Sequence, residues 1–185
     1  MQEDDQIIDA TLAGDTAAFG ELVRKYQDRL FNTLVHVVGC ADEAQDVAQE
    51  TFILAFRKLG KFQRKSSLYT WLYRIAMNTW ISSKRKKRPQ YSVDVAQAAG
   101  QEPVDLSQSP EEHMEQGERV GQIRAAIDEL NDEHRGVLVL RDIEGCGYDQ
   151  ISQILEIPVG TVRSRLHRAR MHLKMRLSQV LQENT

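Results

Sequence analysis

Arg163 and Ser164 sit early in a basic run, Pro158 to Leu177, that contains no acidic residue. An arginine there can donate two hydrogen bonds to a guanine edge, a contact worth about 1–3 kcal/mol of discrimination, and a serine beside it is short enough for close approach. Val162, Leu166, Ala169, Leu173 and Leu177 recur on one helical stripe. Arg163, Ser164, His167, Arg168, Arg170 and Lys174 are left on the other side. Upstream, Ile151, Ile154 and Leu155 mark a shorter helix, joined to the first by Ile157-Pro158-Val159-Gly160. Two helices across a tight turn, the second basic, predict a helix-turn-helix that reads DNA. The plainer reading is an amphipathic helix with a solvated basic face. Lys174 and Arg176 lie further along and are expected to meet phosphate or solvent.

Ser67 to Arg88 is the second constellation. It combines Tyr69, Trp71, Tyr73 and Trp80 with Arg74, Asn78 and a basic run that begins at Lys84 and Arg85. Trp71 falls on the apolar stripe and is expected in the core. Tyr69, Tyr73 and Trp80 are placed nearer the other face, where aromatic rings can stack on unpaired bases for about 1–3 kcal/mol each. Asn78 offers a donor and an acceptor to the edge of an extruded base. Completion of a bundle core is the alternative for these aromatics. The third constellation is a stripe of Asp42, Asp46, Gln49, Glu50, Ile53 and Arg57. Its carboxylates at i and i+4 can be read as a Mg²⁺ site of a nuclease, as a solvated face, or as a docking face for a basic or polar partner helix. The five histidines form no metal-binding spacing and the glycines no phosphate loop, so neither an enzymatic activity nor a cofactor is expected.

Helices must position these residues. Asp4 to Ala13 predicts a short helix stopped by Gly14. Asp15 caps a second, with Phe19, Leu22, Val23, Tyr26, Leu30 and Leu34 inward, ending near Gly39. A third fits Ala41 to Leu59, its core face Ala44, Val47, Ala48, Thr51 and Ala55. A fourth, capped by Ser66 or Ser67, buries Leu68, Trp71, Leu72, Ile75, Ala76 and Thr79. Proline, glycine and polar residues from Pro89 to Gln108 predict an acidic flexible linker. Ser109-Pro110-Glu111-Glu112 then begins a helix that buries Val120, Ile123, Ile127 and Leu130. Another, Asp132 to Glu144, buries Val137, Leu138, Leu140 and Ile143. The expected fold is all-α: two small helical domains, 1–88 and 109–185, joined by the linker 89–108, the second containing the helix-turn-helix.

The 185 residues are 41% hydrophobic and 28% charged, as in globular proteins, and no run reaches the length of a membrane span. The acidic start MQEDDQIID lacks signal-peptide character, and Cys40 and Cys146 match no metal or redox pattern. A cytoplasmic protein with buried or inert thiols is expected. The net charge of −3 conceals segregation. Thr51 to Arg88 and Pro158 to Leu177 are acid-free and basic, whereas Met1 to Glu50 and Pro89 to Glu156 are strongly acidic. Two nucleic-acid contacts on one chain, with acidic faces left for a protein partner, follow from that pattern.

Over nearly its whole length the chain resembles the extracytoplasmic-function (ECF) sigma factors of bacteria. ADEAQDVAQETFILAFRKL resembles the family's second conserved stretch, SSLYTWLYRIAMNTWISSKRKKR its promoter-melting stretch, and GYDQISQILEIPVGTVRSRLHRAR its helix-turn-helix. The resemblance implies a transcription initiation factor whose partners are core RNA polymerase, through the large-subunit clamp coiled coil and the flap, and promoter DNA, both duplex and single-stranded. Asp46, Gln49 and Glu50 fall where the family docks on the clamp. Tyr69, Tyr73, Arg74, Asn78, Trp80, Lys84 and Arg85 lie in the stretch that captures a flipped base of the −10 element. Arg163, Ser164, His167 and Arg168 fall where the −35 element is read. The resemblance also makes an anti-sigma factor a candidate partner. Ser152 stands where members commonly carry alanine and is small enough to preserve packing there. A free-standing DNA-binding regulator is the competing reading, and it leaves the Tyr/Trp/Asn segment without a role.

Overall fold

The computed structural model describes residues 2–87 and 110–183. Its side chains are described within 3–84 and 119–179. The expected linker and the Ser109 cap lie outside the described residues. Helices α1 (Gln2–Leu12), α2 (Thr16–Val38), α3 (Ala41–Lys58) and α4 (Leu68–Lys87) form the first domain. Helices α5 (Pro110–Asp128), α6 (Asp132–Leu138), α7 (Tyr148–Leu155) and α8 (Val159–Glu183) form the second.

Local chemistry sets the ends of these helices. The Asp15 carboxylate accepts from the amides of Ala17 and Ala18 at 3.0 and 3.3 Å, meeting donors that a helix start leaves bare. Gly39 closes α2 at φ +80°, a left-handed conformation costly for a residue with a Cβ. Of the two serines before α4, Ser67 is the cap, its Oγ accepting from the Thr70 amide at 3.1 Å. The α3 face from Ala44 to Ala55 is buried as its period requires.

Beyond α6 the chain widens into a π turn, Val139–Ile143. The amide of Glu144 reaches the Val139 carbonyl at 3.0 Å and that of Cys146 the Leu140 carbonyl at 2.9 Å. The extra residue per turn brings Leu138, Val139 and Leu140 inward in succession and swings Ile143 out to 45% exposure, against the expected burial. Ile123 is 44% exposed as well, because the covered stripe of α5 begins at Ala126 and continues through Ile127 and Leu130. Cys146 is half-buried, and burial pushes its thiol up; Cys40 is exposed at the start of α3.

Helix α1 is fastened by a polar contact. Asp4 accepts from Tyr26 at 2.6 Å and from Lys25 at 2.8 Å, and Lys25 also bonds Glu3 at 2.7 Å. Burial alone would raise the Asp4 carboxyl, but the bonds from Lys25 and Tyr26 outweigh it and hold the group below 3.8. Burial and the Asp4 bond push Tyr26 up to about 12. A carboxyl lowered on folding stabilises above its unfolded value, and the contribution disappears as pH falls through the folded value. Asp4→Asn is expected to cost about 1 kcal/mol at neutral pH, seen as a lower Tm. The gap to the parent protein should close as pH drops below 3.8. A gap independent of pH would assign the stabilisation to packing instead.

Candidate nucleic-acid and polymerase interfaces

Helix α4 is apolar on two flanks. Leu68, Leu72 and Ile75 pack into the core with α1, α2 and Leu59, and Trp71 lies against Phe62 with ring centroids 5.1 Å apart. The other flank carries Tyr69, Tyr73, Ala76, Met77 and Trp80, which join a cluster with Ile151 and Ile154 of α7 and Val137 and Leu140 next to it. Tyr69, Tyr73 and Trp80 are 9%, 1% and 2% exposed. Placing them on a strand-facing surface is therefore corrected for this conformation. At 100° per residue Tyr69, Tyr73 and Trp80 share a flank with Ala76 and Met77, nearly opposite Trp71 and Asn78. The indole nitrogen of Trp80 is buried and has no hydrogen-bond partner.

Between the flanks a strip of α4 stays open. Arg74 and Asn78 are exposed on it and line a groove with Trp71, Thr79 and Ser82 on one wall and Glu43, Asp46, Glu50 and Lys58 on the other. Such a groove offers an arginine for phosphate, an amide for a base edge and one edge of an indole. Trp71, expected in the core and buried there, also presents an edge to this groove. Its spacing to Arg74, Ile75 and Asn78, three, four and seven residues on, is the signal that places it beside them.

The carboxylate stripe of α3 is divided. Asp46 and Glu50 are exposed on the α4 side of α3, and Gln49 turns toward α2, where it lines a second groove with Phe31, Phe52 and Ile53. Among the described residues, no three His, Cys, Asp or Glu side chains gather as metal ligands. Lys84 is engaged by Asp132, its ammonium 2.8 and 2.9 Å from the two carboxylate oxygens, and stands 4.8 Å from the Trp80 ring. The Arg85 side chain lies outside the described residues.

In the second domain α7 ends at Glu156, which takes a left-handed φ of 55°. The Ser152 hydroxyl donates to the Ile157 carbonyl at 2.6 Å, tying α7 to the turn before α8. That bond was not anticipated from its size alone. Ile151, Ile154, Val162, Leu166 and Ala169 are buried, and Arg163, Ser164, His167 and Arg168 are exposed together on α8. Neighbouring carboxylates sort the arginines of this helix. Arg165 pairs with Glu133 at 2.6 Å, Arg170 with Asp142 at 2.5 Å and Arg176 with Glu129 at 2.7 Å. Arg176 is thus bound within the domain rather than solvated as expected. Arg163 and Arg168 have no carboxylate partner among the described residues. The Tyr148 ring stands between Arg141 and Arg163, whose guanidinium carbons are 4.9 and 5.7 Å from its centroid. His134 is held below 6.5 by burial and then by Arg168 and Arg165.

Two family models match the chain. Sigma-70 region 2 matches residues 22–90 and Sigma-70 region 4 matches residues 121–173. The RNA polymerase sigma-H factor of Pseudomonas aeruginosa is 40% identical over 189 residues, covering 99% of this chain and 98% of that protein. The ECF RNA polymerase sigma factor SigW of Bacillus subtilis is 37% identical over 171 residues, covering 89% and 91%. The fold is also that of the sigma factor RpoE of Bartonella quintana, solved with the anti-sigma factor NepR (TM-score 0.68, 24% identity, 86% of this chain and 96% of that one). No helix among the described residues is long and apolar enough to cross a membrane. An open strip beside a carboxylate-rimmed groove, a helix-turn-helix with Arg163 and Arg168 exposed, and near full-length kinship all converge: the chain belongs to the ECF family of RNA polymerase sigma factors and acts with core polymerase in promoter recognition.

Proposed function

We propose a division of labour between two DNA grips and one docking face. Asp46, Gln49 and Glu50 dock on the clamp coiled coil of the polymerase large subunit, within a domain 1–88. Arg74 and Asn78, with Trp71 as the groove floor, take the non-template strand of the −10 element as it opens, and Lys84 and Arg85 hold its backbone. Arg163, Ser164, His167 and Arg168, within a domain 109–185, read the −35 element in the major groove, and that domain also meets the flap. The residues 89–108 connect the two. The chain performs no covalent chemistry itself and works where the polymerase is, in the cytoplasm. The observation that carries this reading is the coexistence, on one chain, of an exposed strip with Arg74 and Asn78 and an exposed face where Arg163 and Arg168 have no carboxylate partner among the described residues. By analogy with the RpoE complex, an anti-sigma factor is proposed as the regulating partner.

Run-off transcription with core enzyme on a promoter library is the direct test, and an absence of promoter-specific initiation would sink the reading. Asp46→Arg with Glu50→Arg should weaken polymerase binding at least tenfold and leave duplex DNA binding unchanged; equal loss of both would contradict the docking assignment. Arg163→Ala should remove about 1–3 kcal/mol of discrimination at one −35 base pair. Tyr148 would act through Arg163 by holding its guanidinium. Tyr148→Ala should therefore lose about 0.5–1 kcal/mol in the same binding assay, with Tyr148→Phe restoring it, because the ring face carries the interaction.

A further inference from the structure

The loop from α3 to α4 carries three exposed cations, Lys61, Arg64 and Lys65. Lys61 and Lys65 have no carboxylate partner among the described residues, whereas Arg64 is held by two from α1. Its guanidinium forks onto both oxygens of Asp9, with Nη1 3.4 Å from Oδ2, and its Nε lies 3.6 Å from an Asp5 oxygen. Asp5 and Asp9 are four residues apart, so one face of α1 presents both. The Arg64 backbone takes a φ of 56°. That left-handed region is costly for a side chain with a Cβ and is usually left to glycine, asparagine or aspartate. No backbone hydrogen bond among the described residues fixes Arg64 there, so its side chain is what holds the conformation.

This loop meets the α3–α4 groove in two steps. Phe62 lies on Trp71 with ring centroids 5.1 Å apart, and Trp71 lines the groove beside Arg74 and Asn78. Lys58, next to the loop, lines it as well. Helix α1 is anchored on its own account. Ile8 is 1% exposed in the apolar cluster that contains Trp71 and Leu72, and Asp4 is bonded to Lys25 and Tyr26. Leu12 of α1 also stands 3.8 Å from where a Cβ on Gly60 would lie, so helix and loop are close along their length. A fixed acidic helix thus grips the one loop residue whose backbone is strained.

We infer that α1 clasps the loop: Asp5 and Asp9 keep Arg64 left-handed, which makes Arg64 a positioning residue that sets Trp71 through Phe62 and so shapes the groove that selects the −10 strand. The strand-selecting part rests on the reading proposed above; the clasp does not. Partly exposed ion pairs add little to global stability. A local choice between two loop conformations needs little, because the population follows the small difference between them. The acids also remove Arg64 from the cations open to phosphate, leaving Lys61 and Lys65. Phosphate contacts carry no sequence information, whereas the groove wall does. The clasp should therefore be read in discrimination between strands rather than in affinity for any strand.

Hydrogen exchange of residues 60–67 in the free full-length chain tests the clasp. Asp5→Ala with Asp9→Ala, which keeps α1 in good helix formers, should quicken exchange there by about twofold or more at unchanged helix content. Arg64→Gly, which leaves α1 untouched, should do the same, and it decides the matter if the double variant unwinds. Unchanged exchange in Arg64→Gly, or in a double variant that stays helical, would overturn the clasp. Discrimination is measured in holoenzyme assembled with core polymerase, as the ratio of affinities for a single strand selected by the parent from a randomised pool and for a scrambled one. Removal of both acids should lower this ratio about two- to fivefold. In the Arg64→Gly background the same removal should change nothing further, because the acids act through Arg64. An equal loss in both backgrounds, or no loss in either, would overturn the positioning role. A parent holoenzyme that selects no strand would instead sink the −10 reading and the positioning role with it, while the exchange result would still decide the clasp.

Discussion

Helix α4 must bury two apolar flanks at once, and most of the architecture is an answer to that demand. One flank is covered by the helices of its own domain. The other, with Tyr73 and Trp80, is covered in part by α2 and α3 and completes its cover on α7. Aromatic side chains of this size each withdraw about 150–250 Å² from water, so leaving the flank bare is costly. The strip that remains, carrying Arg74 and Asn78, is narrow because both neighbours are committed to packing. Its narrowness leaves few exposed side chains, and these project from a backbone fixed on both sides.

Charge placement completes the division. Both domains carry many arginines, but carboxylates at defined places neutralise some and leave others available. Glu129, Glu133 and Asp142 tie down Arg176, Arg165 and Arg170, which fixes the long helix α8 against α5, α6 and the π turn. These pairs are partly exposed and contribute little stability singly. Their larger effect is electrostatic, because they leave the positive potential of this face concentrated at Arg163 and Arg168. Tyr148 adds geometry by giving Arg163 a surface to lie on.

The helices were legible because caps and periods are local. Asp15, Ser67 and Gly39 declare the ends of helices by chemistry that operates within a few residues. The face of α3 followed from spacing alone. What sequence reading could not supply depended on elements distant along the chain. Tyr69, Tyr73 and Trp80 were given to nucleic acid because a helix wheel shows that a side is apolar, not which neighbour covers it. Ile143 was placed inside because a 3.6-residue period was extrapolated through a stretch where the helix widens. Arg170 and Arg176 looked like part of a continuous basic face until Asp142 and Glu129 were brought beside them by packing. The docking and base-reading assignments rest on motif resemblance, and the structure adds that Asp46, Glu50, Arg74 and Asn78 line one groove.

Glu144 joins these threads. The π turn that expels Ile143 is also what delivers Glu144 to α2, since an uninterrupted helix would rotate that position by about 100° per residue away from its present direction. A carboxylate there is expensive unless each oxygen is met, and Thr33 and Arg29 meet them. An apolar residue of similar volume would bind the domains at least as firmly, as buried ion pairs often show when replaced. The polar solution differs in its alternative state: separated, Glu144, Arg29 and the hydroxyls recover full hydration, whereas an all-apolar patch would not. The interface is mixed in character to the end, aromatic at Trp80 and ionic at Glu144.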